Sequence, residues 1–232
     1  ISLNNYREMF ERAPVMRFLF NSLLVTTITV GIGLFINSLA GFAIAVMRWP
    51  WKGLVLGVII ATLIVPFETV AVPLLLIVSK LPSIGAEGLT TGWINTYHVQ
   101  IFPFLAQALI IFLFVQFFKS LPYELVEAAR IDGAGWFQTY WRIYVPISGP
   151  VFSTAAILMI ISMWNQYMWP IMTVQSEAFR PVMVGLSYFF QLQVAWGEVM
   201  SFLSFITIPV LIFFLLIQRT YIESIAASGI KG

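Results

Sequence analysis

The 232-residue sequence predicts an all-α, polytopic helical membrane protein, and three observations carry that prediction. Sixty per cent of the residues are hydrophobic and only 9% are charged, whereas a soluble domain carries about a quarter charged residues. Mean hydropathy is +0.93 over the whole chain. Five stretches (Phe18–Met47, Gly53–Ser79, Val99–Phe118, Ile143–Ser176 and Val199–Gln218) are long and apolar, and roughly 20 mostly apolar helical residues cross a hydrocarbon core. Lipid offers no partner to a free N–H or C=O, so a span is either a helix or part of a closed barrel. Barrel strands are short and alternating. These runs are longer and uniformly apolar, so the five spans are helices.

Taken in order, Phe18–Met47 contains no Asp, Glu, Lys or Arg, and its Asn21, Asn37, Thr26, Thr27 and Thr29 are expected to satisfy contacts between helices. Trp49 and Trp51 follow it as interfacial aromatics do. Ahead of it, Arg7, Arg12 and Arg17 with Glu8 and Glu11 read as a solvated segment outside the membrane. The second span holds one ionisable residue, Glu68, between Pro66 and Pro73. Ionisable residues in spans usually face a cavity or a partner, and proline kinks a helix and frees backbone groups. Glu68 is therefore a candidate for the solute pathway, against the plainer reading of a carboxyl bonded to a neighbouring helix. The third span carries no charge. The fourth contains "SMWNQYMWPIM", where Trp164, Asn165, Gln166 and Trp169 combine amides with indoles. Amides bond hydroxyls and indole faces cover apolar C–H surface, as a sugar requires; the alternative is polar glue between helices, worth about 1 kcal/mol. The fifth span runs uncharged to Gln218.

With alternate loops on alternate sides, one side holds Arg48, Lys52, Lys119, Arg130, Arg142, Arg219 and Lys231, and the other Arg7, Arg12, Arg17, Lys80 and Arg180. Positive residues favour the cytoplasm, which places Ile1 outside, Gly232 inside and the loop 120–147 in the cytoplasm. Several classes fall away. There is no cysteine, a single histidine (His98) and no G-x-x-x-x-G-K-[ST] run, so thiolate sites, histidine-clustered metal sites and a P-loop are excluded. A net charge of +2 does not point to nucleic acid.

The loop "SLPYELVEAARIDGAGWFQTYWRIYVPISGP", Ser120–Pro150, interrupts the apolar pattern. Pro122 suits a first helical turn, and Glu124 and Glu127 lie toward the positive end of that helix dipole. Leu125, Ala128, Ala129 and Ile131 make a mixed small and apolar face. Gly133 after Asp132 is a natural stop, because glycine accepts the left-handed conformation that closes many helices. A second short helix is expected over Gly135–Tyr144, with Trp136, Phe137, Tyr140, Trp141 and Tyr144 supplying bulk, ended by Pro146. Physical reasoning leaves two readings level: an amphipathic tether at the inner membrane face, or a surface for a partner protein, which the small alanines beside Glu127 would let approach.

The stretch "EAARIDGAGWFQTYWRIYVP" resembles the EAA motif of permease subunits in bacterial ABC importers, E-A-A, three residues, G, nine residues, I-x-L-P. Glu127, Ala128 and Ala129, then Gly133, then Ile143 to Pro146 keep that spacing, with Val145 in place of the usual leucine. "LVEAARIDGA", "AASGIKG" and "SMWNQYMWPIM" resemble the carbohydrate-importing, MalG-like branch, and the resemblance covers Asn4 to Gly232. It implies one transmembrane domain over residues 1–232, with a further helix expected before Ile1, since such subunits commonly have six spans. It also implies that the loop 120–147 is a coupling helix docking on an ATPase subunit through Glu124, Glu127, Ala128, Ala129, Asp132, Gly133, Ala134, Ile143 and Pro146. The implied partners are a second permease, two ATPase subunits that hold the ATP and Mg, membrane lipid, and an extracytoplasmic binding protein facing Ser83–His98 and Gln175–Trp196. The chain itself is then no enzyme and binds no cofactor or metal, and its solute is an oligosaccharide, a disaccharide such as trehalose or maltose, or glycerol-3-phosphate. A stand-alone secondary transporter or channel is the rival. It would need ion-coordinating groups, often in repeated halves, and only Glu68 is available.

Overall fold

The computed structural model describes residues 4–85, 88–190 and 194–229. The helices in chain order are α1 Asn4–Arg12, α2 Val15–Ala45, α3 Lys52–Thr62, α4 Phe67–Val78, α5 Tyr97–Ile101 and α6 Ala108–Ser120. There follow α7 Glu124–Ile131, α8 Trp136–Thr139, α9 Val145–Ile147, α10 Gly149–Trp164, α11 Met168–Thr173, α12 Val182–Gly185 and α13 Trp196–Gly229. A short antiparallel hairpin, β1 Pro82–Gly85 and β2 Gly88–Thr91, pairs Pro82 with Thr91 between α4 and α5. The remaining regular structure among the described residues is helical, as the apolar runs require.

Among the described residues, three helical stretches are long and apolar enough to cross a membrane: Val15–Ala45, Tyr97–Ser120 and Trp196–Leu216. Two broken pairs, α3 with α4 and Trp136–Ile147 with α10, bring the number to five if each pair is one span. The expected second span breaks rather than kinks. Pro66 disfavours helical geometry at Val65, and the last turn tightens through bonds from Leu63 to Ile60, Ile64 to Ala61 and Val65 to Thr62. Pro73 stays inside α4. The apolar run Ile143–Ser176 is likewise not one helix: Trp136–Ile147 turns by 82° into α10, which begins at Gly149 and stops at Trp164. The leading segment is more than solvated chain. As α1, it buries Met9, pairs Arg12 with Glu198 of α13 at 3.2 Å, and sets Phe10 edge-on to Phe205.

The chain forms two compact units, the first from Ile1–Thr29, Phe67–Phe104 and Ile160–Leu215, the second from Val30–Pro66, Leu105–Met159 and Leu216–Gly232. In the first, Met9, Phe18, Trp164, Val182, Phe189, Val199, Phe202 and Ile206 form one core. Ala71, Val78, Val99, Trp169 and Val174 form another. In the second, Ile44, Ile111 and Val115 pack with Trp49, Leu56 and Ile59, and Phe42 meets Phe118, Tyr140 and Tyr144 ring to ring.

Asn37 in the second unit explains how an amide earns its place in an apolar span. Helical structure lapses over 105–107 just before α6, and an unpaired backbone group in a dry interior costs free energy. Fully buried, Asn37 donates through Nδ2 to the carbonyls of Gly33 at 2.6 Å and Leu105 at 2.8 Å, and its Oδ1 accepts from the Gln107 N–H at 2.8 Å. Asn37→Leu keeps the branched shape with somewhat more bulk and removes the amide's bond to the Leu105 carbonyl, at a cost of about 1–3 kcal/mol. The expected result is a lower melting temperature in detergent. A value equal to the parent would show that the amide is dispensable.

Candidate functional site

The loop 120–147 belongs to the second unit and is built as two short helices about a glycine turn. Gly133 has φ +79°. Its N–H donates to Arg130 O at 3.1 Å, and the Ala134 N–H reaches back to Ala129 O at 2.9 Å. That pair of bonds is the Schellman closure, which satisfies carbonyls that a helix end would otherwise leave bare. Arg130 then spans the turn: its guanidinium lies 4.5 Å over the Trp136 ring and donates to Ala134 O at 3.3 Å. Beyond the turn, the Gln138 side chain accepts from the Gly135 N–H at 2.9 Å, starting α8.

The face predicted for α7 divides in two. Val126 and Ala129, one turn apart, are buried, and Leu125 is half-buried. Ala128 and Ile131 point away, Ile131 at 86% exposure, and Glu124, Glu127, Asp132 and Gly133 are exposed with them. Adjacent residues of a helix point about 100° apart, which leaves Ala128 exposed and Ala129 buried in this conformation. Ala134 and Ile143 are half-buried and Pro146 is exposed.

The second helix does not stop at Pro146. It widens into a π turn over Tyr140–Tyr144, in which the Val145 N–H bonds Tyr140 O, and continues as α9 to Ile147. Proline lacks the N–H that a regular turn would use, and a widened turn just before it accommodates the ring. Tyr140 and Tyr144 are buried; the Tyr140 hydroxyl meets Ser38 Oγ at 2.7 Å, and Tyr144 meets Phe42 at 4.9 Å and Phe118 at 5.5 Å. Both tyrosines thus fasten the loop to α2 and α6 within this unit. Phe137 and Trp141 are exposed instead and stack on one another. At the loop's start, Arg48 lies 4.8 Å over the Tyr123 ring.

The pathway candidates lie in the first unit and do not form one cluster. Glu68 is exposed in the first turn of α4 and, among the described residues, makes no hydrogen bond or ion pair. Trp169 is 1% exposed: its indole N–H donates to Val99 O at 2.7 Å, and Phe67 and Phe104 meet its ring. It is a packing residue, closed to solute in this conformation. Trp164 is buried, with one edge on a pocket of about 260 Å³ that Asn165 also lines. Asn165 is exposed where α10 ends, its Nδ2 donating to Ile161 O at 2.9 Å. Gln166 approaches the Met163 sulfur at 3.6 Å. Sequence reasoning did not single out Thr207, which is exposed on α13 and lines the same pocket as Asn165; a hydroxyl in an apolar span was the available signal.

Residues 175–182, the start of the outer segment expected over Gln175–Trp196, are held by a polar clamp. Asn95, with φ +59°, accepts from the N–H groups of Gln175 and Ser176. Asn21 donates to the carbonyls of Ala178 and Arg180 and accepts from the Tyr97 hydroxyl, and Arg17 donates to Ala178 O. Tyr188 bonds both Arg180 and Glu177. Burial, then that bond to Glu177, holds the Tyr188 phenol above its ordinary value. Gln191–Gln193, also within the expected outer surface, lie outside the described residues.

The chain is 28% identical over 239 residues to the arabinooligosaccharides transport system permease protein AraQ of Bacillus subtilis, covering 100% of this chain and 80% of that one. It is 29% identical to the lactose transport system permease protein LacG of Rhizobium radiobacter, over 97% of this chain and 79% of the relative. It is 32% identical to the sn-glycerol-3-phosphate transport system permease protein UgpE of Yersinia enterocolitica, over 93% and 74%. A crystal structure of a bacterial ABC transporter involved in the import of the acidic polysaccharide alginate shares the fold, with a TM-score of 0.78 at 22% identity over 94% of this chain and 79% of that chain. The family model for the binding-protein-dependent transport system inner membrane component matches residues 17–225. With broken apolar helices around an EAA-spaced loop and a match over most of its length, this chain is a member of that permease family.

Proposed function

We propose that this chain is the translocation subunit of an ATP-driven importer for a sugar or related polyol, and that the loop 120–147 passes ATPase closure to its helices. The observation that carries this reading is the build of the loop. Glu124, Glu127, Ala128 and Asp132 are presented together on an exposed face of a helix fastened at its far end by buried Tyr140 and Tyr144. A displacement applied to α7 reaches α2 and α6 through packed rings and the Ser38–Tyr140 bond instead of dissipating in slack chain. Coupling of this kind runs through contiguous packed elements. Relatives named for arabinooligosaccharide, lactose and glycerol-3-phosphate transport support the solute class. A second permease, two ATPase subunits holding ATP and Mg, and an extracytoplasmic binding protein complete the assembly. In it this chain carries no catalytic group, and its loop and C-terminus face the cytoplasm of a bacterial or archaeal cell.

Reversing one exposed charge tests the contact. Glu127→Arg is expected to leave membrane insertion intact while the ATPase subunits no longer co-purify and ATP-driven uptake falls at least about tenfold, a loss of about 1.4 kcal/mol. Full ATPase recovery and full uptake in this variant would remove α7 from the coupling role. Uptake driven by an ion gradient without any ATPase would favour the secondary-transporter reading.

A further inference from the structure

Two adjoining concavities in the first unit have a chemistry that discriminates among the solutes of the relatives. One, of about 260 Å³, is lined by Trp164, Asn165, Leu203, Ile206 and Thr207 among others. The second, of about 330 Å³, is lined by Tyr167, Leu186, Ser187 and Phe190, and Met183 forms a wall of both. Together they are in the size range of small-molecule sites. Tyr167 and Phe190 are about half exposed, and Phe190 also meets Trp196 at a T-shaped angle.

Three of the polar groups here each commit one proton to the backbone. Asn165 Nδ2 donates to Ile161 O at 2.9 Å, Ser187 Oγ to Val184 O at 2.7 Å and Thr207 Oγ1 to Leu203 O at 2.7 Å. A hydroxyl has one proton and two lone pairs, and an amide oxygen only accepts. What these side chains offer a solute is therefore oxygen lone pairs together with the second Asn165 N–H and the Tyr167 hydroxyl, all of them neutral. Among the described residues, no Lys, Arg, His, Asp or Glu lines either concavity. Phosphate and carboxylate sites draw on charged donors, arginine above all, and an anion set among neutral groups without a cation is poorly compensated for its lost hydration. A neutral sugar fits: its hydroxyls donate to acceptors while its C–H faces cover aromatic rings.

We propose that this groove is a contact site for a neutral carbohydrate. One sugar ring lies against Tyr167 and Phe190 and donates hydroxyl protons to Asn165, Ser187 and Thr207, and the groove disfavours phosphorylated and acidic sugars. This selectivity rests on the importer reading above and goes beyond it, separating solutes like lactose from solutes like glycerol-3-phosphate.

The test uses the whole importer, with its second permease, ATPase subunits and binding protein, in proteoliposomes supplied with ATP. Uptake of maltose, trehalose and lactose is compared with that of sn-glycerol-3-phosphate and a galacturonate disaccharide. At least one neutral sugar is expected to accumulate about tenfold or more faster than either anion, and Tyr167→Ala to lower sugar delivered per ATP about tenfold. Thr207→Lys supplies the missing cation and is expected to shift the anion-to-sugar ratio toward the anion; Asn165→Lys gives the same readout should Thr207→Lys fail to assemble. Faster uptake of an anion than of every neutral sugar overturns the proposal and leaves the importer reading standing. So does an unchanged ratio in the lysine variants, or an unchanged sugar yield in Tyr167→Ala. Absence of ATP-dependent uptake for every probe overturns the importer reading itself.

Discussion

Gly133→Val is expected to abolish ATP-driven uptake while the protein still inserts in the membrane, and Gly133→Asn to keep most of it. The residue sits at φ +79°, and a Cβ added there meets nothing within 4 Å. Space is therefore not what the position demands; backbone conformation is. An L-residue in the left-handed region costs roughly 1–2 kcal/mol, least for asparagine and most for a β-branched side chain. Valine would drive the turn out of that conformation, breaking the bonds from Gly133 to Arg130 and from Ala134 to Ala129. The 4.5 Å stacking of Arg130 on Trp136 depends on the same turn. Helix α7 would then leave the direction in which it presents Glu124, Glu127 and Asp132. Uptake should rank Gly, Asn, Ala, Val, and ATPase co-purification should follow that order. Equal loss in Asn and Val would mean that the side chain itself obstructs the partner, and no loss in Val would mean that the bend does not matter.

The membrane class, the number of apolar stretches and the glycine turn were legible because each rests on a strong local signal. Twenty apolar residues leave a chain little alternative to a spanning helix, and Gly133 after Glu124–Asp132 writes its own stop. The breaks at 63–66, 105–107 and 165–167 were less legible. A break costs unpaired backbone groups, and whether it is tolerated depends on what a distant residue supplies. Asn37 supplies it for Leu105 and Gln107 from far along the chain, and hydropathy carries no trace of such a pairing. For the same reason Trp169 read as a sugar platform: an indole beside amides has that composition whether its faces are open or covered by Phe67 and Phe104. The division of α7 between Ala129, buried, and Ala128, exposed, was available from helical spacing alone. Knowing which of the two faces inward required the position of the neighbouring helices. Nor did the loop's aromatics act as one group; Tyr140 and Tyr144 fasten it, whereas Phe137 and Trp141 remain on the surface.

Gly41→Ala is expected to cost more stability than any comparable change of one methyl group in the second unit. An added Cβ at Gly41 would lie 2.5 Å from Phe114 Cβ and 3.3 Å from both the Phe114 carbonyl carbon and the Val115 nitrogen. Two of those three atoms are backbone, and the third is fixed to backbone, so no rotamer change relieves the contact. Small residues at such points let spanning helices approach closely, and here α2 and α6 depend on that approach. Gly33 offers a partial contrast: its nearest atom, at 2.4 Å, is the terminal methyl of Met159, which can swing aside and leaves the Leu105 carbonyl oxygen at 3.1 Å as the tight backbone contact. Overpacking a tight interior costs about 1–3 kcal/mol, and each kcal/mol moves the melting temperature of a chain of this size by about 2–4 °C. Gly41→Ala should therefore melt several degrees lower in detergent, with Gly33→Ala closer to the parent despite its loss of a similarly placed glycine. The displacement would also disturb the rings Phe42, Phe118 and Tyr144, to which the loop is fastened. Uptake should accordingly fall below what the melting temperature alone accounts for. Equal melting of the two variants would show that α2 and α6 tolerate separation, and that their close approach is not what holds the loop.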